Sequence, residues 1–377
     1  MEGPLTIAII CHPTLGGSGV VATDLGAALA ERGHTVHIVS HRRPVRIASP
    51  HPRVRFHEVP VTRYPLFTYP PYTLALATKL AALCREERID VLHAHYAIPH
   101  AVSAYLCRQM LGRDAPKIVT TLHGTDITLV GLDDSFYEIT RFSLLESDGV
   151  TAVSDYLARQ VRQRFNLEGE VTTIYNFIDL ERFSPSSRDS AVRSRLACGD
   201  EALVGHLSNF RWVKRVPDVV RVFQRIALHV PACLVMIGDG PDLPAVKLVA
   251  DELGVLDRIN FLGSEQDAAE LLPQLDLFLL PSEQESFGLA ALEAMACGVP
   301  VIASNVGGLP ELVTEGEAGH LFPVGAVTDM GEKAAGILAD RAEHARLRAG
   351  ARRRAEDFRQ DGLVGQYEAF YRAVLKG

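Results

Sequence analysis

The chain has 377 residues, 47% of them apolar and 22% charged, with 38 Lys plus Arg against 46 Asp plus Glu for a net charge of −8. Such a length, about two to three times that of a usual domain, makes two domains the expectation, and the composition excludes a disordered chain, a coiled coil and a disulfide mini-scaffold. The negative charge argues against nucleic acid or an anionic membrane as the main partner, and apolar runs such as Leu5 to Cys11 and Leu275 to Pro281 are too short to cross a bilayer.

In chain order, the first half reads as short buried strands at Leu5–Cys11, Thr35–Ser40, Val54–Val59, Val91–His93, Lys117–Leu122, Val150–Val153 and Val171–Ile174. Helical stretches lie between them. Val21, Leu25, Ala28 and Leu29 fall on one helical face before Gly33 ends it. The second half repeats the design at Leu203–Leu207, Cys233–Ile237, Ile259–Leu262, Leu277–Leu280 and Val299–Ala303. Val/Ile/Leu strands linked by helices indicate parallel sheets covered on both faces. The expected fold class is α/β, two doubly wound Rossmann-like domains facing each other across a ligand cleft.

The stretch Tyr175 to Asp189 has Asn, Asp, Pro and Ser but no sustained period, so the boundary is expected near residue 180. Residues 1–180 then form the first domain and 181–360 the second. After Asp340 the chain turns helical and basic (Arg341, Arg346, Arg348, Arg352, Arg353, Arg354), which reads as a solvated face. Residues 361–377 form a last helix with Leu363, Tyr367, Phe370 and Val374 on one face, expected to pack back on the first domain. Ala-rich helices such as Leu74 to Leu83 suit a core or an interface equally, which leaves a homo-oligomer open.

The N-terminus carries no basic stretch ahead of its apolar run, so a cytoplasmic location is expected. The six cysteines (Cys11, Cys84, Cys107, Cys198, Cys233, Cys297) are scattered singly, without the C-x-x-C spacing of a zinc site. Cys11 and Cys233, inside strand-like runs, read as buried inert thiols.

Strand one ends in Cys11-His12-Pro13 and runs through Gly16-Gly17-Ser18-Gly19 into a helix. Glycines there let backbone approach a ligand, and the helix start offers free N–H groups to an anion. The spacing is not G-x-G-x-x-G and no acid closes strand two, where Ser40-His41-Arg42-Arg43 stands instead. A nicotinamide dinucleotide is therefore disfavoured.

The second half carries a stronger pattern. Glu285-Ser286-Phe287-Gly288-Leu289 follows the strand Leu277–Leu280, and Glu293 comes eight residues after Glu285. With a helix starting at Phe287, Glu285 sits in the loop above its mouth and Glu293 about two turns in. The free N–H groups of Phe287, Gly288 and Leu289 suit a phosphate. Glu293 lies within Ala-Leu-Glu-Ala-Met-Ala, an otherwise apolar helix, which is unusual for a solvated glutamate.

This Glu-x7-Glu setting resembles the donor site of retaining GT-B glycosyltransferases of family 4. The resemblance extends to Gly16-Gly17-Ser18-Gly19, Asn209 to Arg215, Ile237 to Pro241 and Gly307 to Glu311, and so covers essentially the whole chain. It implies that Glu293 binds the ribose hydroxyls and Glu285 the 3-hydroxyl of the donor sugar. It assigns Arg211 and Lys214 to the diphosphate, with Gly16 and Gly17 closing over it and Gly263 completing the donor contacts. Arg215 is the alternative to Lys214, because the family usually spaces its two cations further apart. Fixed cations there stabilise a leaving nucleoside diphosphate more than the bound ground state.

In the first half, His93-Ala94-His95-Tyr96-Ala97-Ile98-Pro99-His100 follows one strand and Thr121-Leu122-His123-Gly124-Thr125-Asp126 the next, both at carboxyl ends. Three histidines in eight residues could suggest a metal, but no H-E-x-x-H or acid pair accompanies them. No metal and no cofactor is expected. These motifs are similar to the branch of the family that moves N-acetylglucosamine from UDP-N-acetylglucosamine to L-malate with retention at the anomeric carbon. A dicarboxylate acceptor needs cations or N–H donors, for which Ser18, Tyr96, His123, Thr125, Arg141 and Asn176 are the candidates, with Arg46 behind them. Arg141 reads equally as a snorkelling surface side chain. The resemblance puts His123 beside the donor sugar, in a catalytic set with Arg211, Lys214 and Glu285. Asp126 reads as structural, which leaves no evident carboxylate nucleophile.

Rival readings are a relative acting on inositol phosphate, a UDP-N-acetylglucosamine 2-epimerase, a lipid-acting transferase and a non-catalytic sugar-nucleotide binder. The lipid reading wants a basic amphipathic helix, yet Tyr72 to Arg88 offers only Lys79, Arg85 and Arg88, with Glu86 and Glu87 beside them.

Overall fold

The computed structural model describes residues 3–13, 17–44, 51–61, 71–128, 133–187, 189–196, 201–264 and 267–377. The chain divides into two compact units, Met1–Phe177 with Asp361–Gly377, and Ile178–Gln360. Among the described residues no helix is long and apolar enough to cross a membrane.

The first unit is built on β1 (Thr6–Ile10), β2 (Thr35–Ser40), β3 (Val54–Glu58), β4 (Val91–His95), β5 (Lys117–Leu122), β6 (Gly149–Ala152) and β7 (Val171–Thr173). The spatial order is β3-β2-β1-β4-β5-β6-β7, and every pair is parallel. Ile7 to Ile10 are fully buried, which is why this strand shows no apolar/polar alternation. The helix Ser18–Glu31 buries Val21, Leu25, Ala28 and Leu29 as its sequence period requires. The helix Tyr72–Glu86 packs Leu76, Leu80 and Leu83 into a core with Ile10, Leu92 and Ile118, each worth roughly 1.5–3 kcal/mol of burial. Its Leu74 stays exposed.

The last helix, Gln360–Lys376, packs on this first sheet. It buries Leu363, Val364, Tyr367 and Tyr371, while Phe370 and Val374 lie half-buried against the Gly149 backbone. Glu368 pairs with Arg32 and with His34 Nε2 (2.7 Å), and the Tyr371 hydroxyl bonds His93 Nδ1 at 2.8 Å.

The second unit is built on β8 (Ala202–Leu207), β9 (Ala232–Ile237), β10 (Ile259–Gly263), β11 (Leu277–Leu280), β12 (Val301–Ser304) and β13 (Gly319–Phe322). The order is β10-β9-β8-β11-β12-β13, again all parallel. Both sheets thus run three strands outward one way and the rest the other way, a doubly wound arrangement with its topological switch between β1 and β4 or between β8 and β11. The core joins Val204, Phe223, Leu234, Met236, Leu277 and Ile302.

Three expectations are corrected. β13 is an additional strand: Gly-His-Leu-Phe at a sheet edge is half-buried after its first residue and too short to show a period. The basic helix Arg341–Glu356 is not a uniformly solvated face. Arg348 donates to the Leu275 carbonyl, Arg352 to those of Phe183 and Ala296, and Arg354 to those of Leu312 and Glu311, so these three tie down loops and helix ends while Arg341, Arg346 and Arg353 stay exposed. The helix after Glu285 begins at Leu289 rather than Phe287, because Gly288 takes φ 99° and interrupts helical geometry. Glu293 is therefore little more than one turn in.

Candidate active site

Lys214 and Glu285 meet at the switch point of the second unit, on the loops that leave β8 and β11. After β8, Arg211 to Arg215 form one tight turn, with Lys214 N bonding the Arg211 carbonyl at 2.8 Å and Arg215 in left-handed geometry at φ 48°. Lys214 Nζ reaches across to Glu285 Oε1 at 2.6 Å. The fully buried Ser282 donates its hydroxyl to the same oxygen at 3.0 Å. Arg215 turns elsewhere. Its Nε meets Asp218 Oδ2 and its Nη1 meets Glu283 Oε2, both at 2.7 Å, and the bonds to Glu283 and Asp218 push its pKa up. Of the two alternative cations, Lys214 is thus the one that faces Glu285. Arg211 is exposed on the same turn.

Glycines hold the carboxylate in place. Gly308 N donates to the Glu285 carbonyl at 3.0 Å, and a Cβ on Gly307 (φ 60°) would lie 1.7 Å from that same oxygen. Only a residue without a side chain tolerates that approach and that φ. Phe287 is 2% exposed and packs edge-to-face on Phe358 at 5.5 Å, so its side chain is core. Ser286 and Leu289 are half-buried beside it. Glu293 is 6% exposed within its helix, so the reading of a solvated surface glutamate fails. Gly263 ends β10 at φ 72°, with its carbonyl accepting from Gly238 N at 2.8 Å.

His206 and Ser282 were missed in the sequence. His206 is fully buried on β8. Its Nδ1–H donates to the Leu279 carbonyl (2.9 Å), so its Nε2 accepts from the Ser208 hydroxyl (2.7 Å), and burial pushes its pKa down to about 4. The only signal for it was a histidine inside an apolar strand. For Ser282 the signal was a serine three residues before Glu285.

The first unit gathers its own cluster at the β1/β4 switch and on β5. Ser18 donates to the Tyr96 hydroxyl at 3.1 Å across the start of the first helix. Gly17 caps that helix at φ 62°. Tyr96 adopts φ 95°, a strained conformation for a residue with a side chain, held by its N–H on the Thr121 carbonyl at 3.0 Å. Its ring lies 5.5 Å from that of His123 and 5.4 Å from His12, which in turn lies 4.4 Å from His100. His95 Nδ1 and His123 Nε2 are 2.9 Å apart. Burial pushes His93, His100 and His123 down to about 3 and His95 well below its ordinary value, with neighbouring imidazoles adding to the shift. All four rings are therefore neutral at pH 7.

Thr125 is exposed at the start of a short helix. Asn176 is buried, its Oδ1 without a partner among the described residues. Arg141 is half-buried and spends its Nε on the Phe165 carbonyl at 3.0 Å, which clips its helix to the end of the helix Asp155–Phe165. Gly16, Arg46 and the Asp126 side chain lie outside the described residues. Among the described residues, no group of three or more His, Cys, Asp or Glu is arranged to hold a metal ion.

Comparison with known proteins identifies both halves. Residues 15–182 match the model of glycosyltransferase family 4, and residues 188–354 that of glycosyl transferases group 1. N-acetyl-alpha-D-glucosaminyl L-malate synthase of Bacillus anthracis is 45% identical over 99% of this chain and 98% of its own. D-inositol 3-phosphate glycosyltransferase of Stackebrandtia nassauensis is 29% identical over 97% of this chain and 92% of its own. The crystal structure of Anabaena HepE in complex with UDP-glucose superposes with a TM-score of 0.82 at 20% identity, covering 98% of this chain and 100% of that one, which establishes the GT-B fold. The chain is a glycosyltransferase of family 4, in the group that contains the N-acetyl-alpha-D-glucosaminyl L-malate synthase of Bacillus anthracis.

Proposed function

We propose that the protein transfers N-acetylglucosamine from UDP-N-acetylglucosamine to the hydroxyl of L-malate with retention, giving N-acetylglucosaminyl-α-malate and UDP, the opening step of bacillithiol synthesis. The observation that carries this reading is the end-to-end 45% identity to a malate synthase, against 29% to an inositol phosphate transferase. A UDP-sugar complex of HepE, with the same fold, is consistent with the donor class.

In this reading the bond from the anomeric carbon to the β-phosphate oxygen breaks and its electron pair leaves with UDP. Arg211 and Lys214 take up that developing charge, a gain realised mainly in the transition state. Glu285 holds the 3-hydroxyl of the sugar and Glu293 the ribose. In the second unit Gly263 and the backbone of Ser286 to Leu289 serve the diphosphate. Malate attacks on the face that UDP leaves, and its hydroxyl proton passes to the departing phosphate oxygen. No side chain is an essential general base, and no metal is required. Ser18, Tyr96, His123, Thr125, Arg141 and Asn176 supply hydrogen bonds or charge to the two malate carboxylates. The reaction belongs in the cytoplasm.

The test is UDP release from UDP-N-acetylglucosamine with EDTA present, with and without L-malate. Malate-dependent release is the expected result. Release only with inositol phosphate or a lipid acceptor would overturn the acceptor half and keep the donor half, and loss of release on adding EDTA would overturn the metal-free reading.

A further inference from the structure

We propose that His95 is a positioning residue that holds His123 in its Nδ1–H tautomer, so that His123 meets its ligand as a neutral hydrogen-bond donor. The functional half of this inference rests on the sugar-transfer reading; the tautomer does not.

The pair is set by sheet register. β4 and β5 are parallel neighbours with His95 opposite Thr121, and His123 follows two residues later, just past the strand end. The two imidazole planes lie within 21° of each other with their centroids 5.1 Å apart, and His95 Nδ1 is 2.9 Å from His123 Nε2, the spacing of rings bonded edge to edge. Two neutral rings share one proton in that bond, and one nitrogen donates while the other accepts.

The direction follows from the far side of His95. Its Nε2 is buried and has no partner among the described residues. Were His95 the acceptor at Nδ1, its proton would sit on Nε2 as a buried N–H with nothing to receive it. Were His95 the donor, Nε2 would be a bare lone pair. Buried donors left unpaired are rarer than acceptors left unpaired, so His95 donates. His123 Nε2 then accepts, and its own proton lies on Nδ1.

The backbone around His95 is also tied. His100 Nδ1–H donates to the His95 carbonyl, an acceptor by necessity. Tyr96, the next residue, bonds the Thr121 carbonyl. On the far side, His93 is fixed between the Tyr371 hydroxyl at 2.8 Å and Thr121 Oγ1 at 2.6 Å, its ring 4.4 Å from that of His95. With Nε2 committed to His95, Nδ1 is the one nitrogen that His123 can offer. It presents a proton rather than a lone pair, which suits an oxygen acceptor on a sugar or carboxylate. It leaves His123 unable to take the acceptor's proton there.

The experiment labels the full chain with 15N-histidine and reads the His123 ring nitrogens by long-range proton–nitrogen correlation, with His123→Gln to assign the signal. The expected result is an unprotonated Nε2 and a protonated Nδ1. A protonated Nε2 in the native protein overturns the proposal. The His95→Asn side chain places an amide N–H where the His95 Nδ1–H stands, whereas that of His95→Leu cannot donate. His95→Leu is expected to shift His123 toward the other tautomer and to lower kcat at least tenfold with little change in the KM for UDP-N-acetylglucosamine. His95→Asn is expected to recover most of that loss. Equal losses in the Asn and Leu variants, at matched thermal stability and UDP affinity, would make His95 merely structural and overturn the functional half. If the native protein releases no UDP with malate, inositol phosphate or a lipid acceptor, the sugar-transfer reading fails, while the tautomer measurement still decides the lock.

Discussion

Lys214 Nζ lies 2.6 Å from Glu285 Oε1, joining the loop after β8 to the loop after β11 at the point where the second sheet reverses its strand order. Both side chains are largely shielded, at 21% and 9% exposure, so removing one of them leaves the other as a shielded charge without its partner. The carboxylate that would grip the sugar and the cation that would grip the diphosphate therefore hold one another before any donor arrives.

Removing either partner should damage turnover far more than folding. Lys214→Ala is expected to lower kcat about 10²–10³-fold, the usual cost of losing one preorganised charge-stabilising group. Steady-state kinetics with the donor varied checks this. A loss confined to KM would mean that Lys214 binds the ground state and transition state alike. Glu285→Gln should show coupling with Lys214→Ala, so that the double variant loses less than the sum of the two.

Arg215, one residue on, should behave in the opposite way. Its bonds go to Asp218, which is buried and keeps Arg221 as a second partner, and to Glu283. Arg215→Ala is expected to cost about 1–2 kcal/mol of stability, discounted for the half-exposed guanidinium. It should change kcat/KM by no more than about fivefold, or about 1 kcal/mol. Thermal melting beside the kinetics separates the two cations. A kcat loss matching that of Lys214→Ala would refute the assignment.

Gly307→Ala places a methyl 1.7 Å from the Glu285 carbonyl at a backbone φ of 60°. The loop must move, and Glu285 with it. A loss of about 1–3 kcal/mol in stability is expected from the strained conformation, together with a raised donor KM. Isothermal titration with UDP and with UDP-N-acetylglucosamine tests where the damage falls. If the sugar's contribution survives, Gly307 does not position Glu285.

The histidine cluster predicts an acid-sensitive first unit. Burial holds His93 and His100 at about 3 and His95 well below its usual value, whereas all three titrate near 6.5 when unfolded. In the window from about 6.5 down to 3 the unfolded chain binds protons that the folded chain refuses, so stability rises with pH there and is lost as pH falls. Each ring adds a slope of about 1.4 kcal/mol per pH unit inside that window. Urea unfolding across this range measures the sum. A flat profile below pH 6 would show that the rings are hydrated and protonated in the folded state.

Most strands could be read directly from the chain, because a strand buried on both faces is an unbroken apolar run, as in Ile7 to Ile10 or Leu277 to Leu280. β13 escaped because an edge strand of four residues, half-buried beyond its first, has neither run nor period. The acidic pair Glu285 and Glu293 stood out by spacing and by the apolar company of Glu293. The helix start was misplaced because Gly288 acts through its backbone angle, which composition does not announce.

What the sequence determined by itself was the sheet class, the candidate loops and the residue types at their tips, since these follow from local hydrophobic period and from motifs contiguous in the chain. Tertiary structure alone decided which side chains meet. Lys214 and Glu285 are 71 residues apart, His95 and His123 28, and Tyr371 and His93 278. Arg348, Arg352 and Arg354 looked like solvent-facing charges until the fold brought free carbonyls to them. A side chain's partner depends on strand order and register, and those are settled by burying the apolar surface of each sheet in its own unit, not by any local stretch of chain.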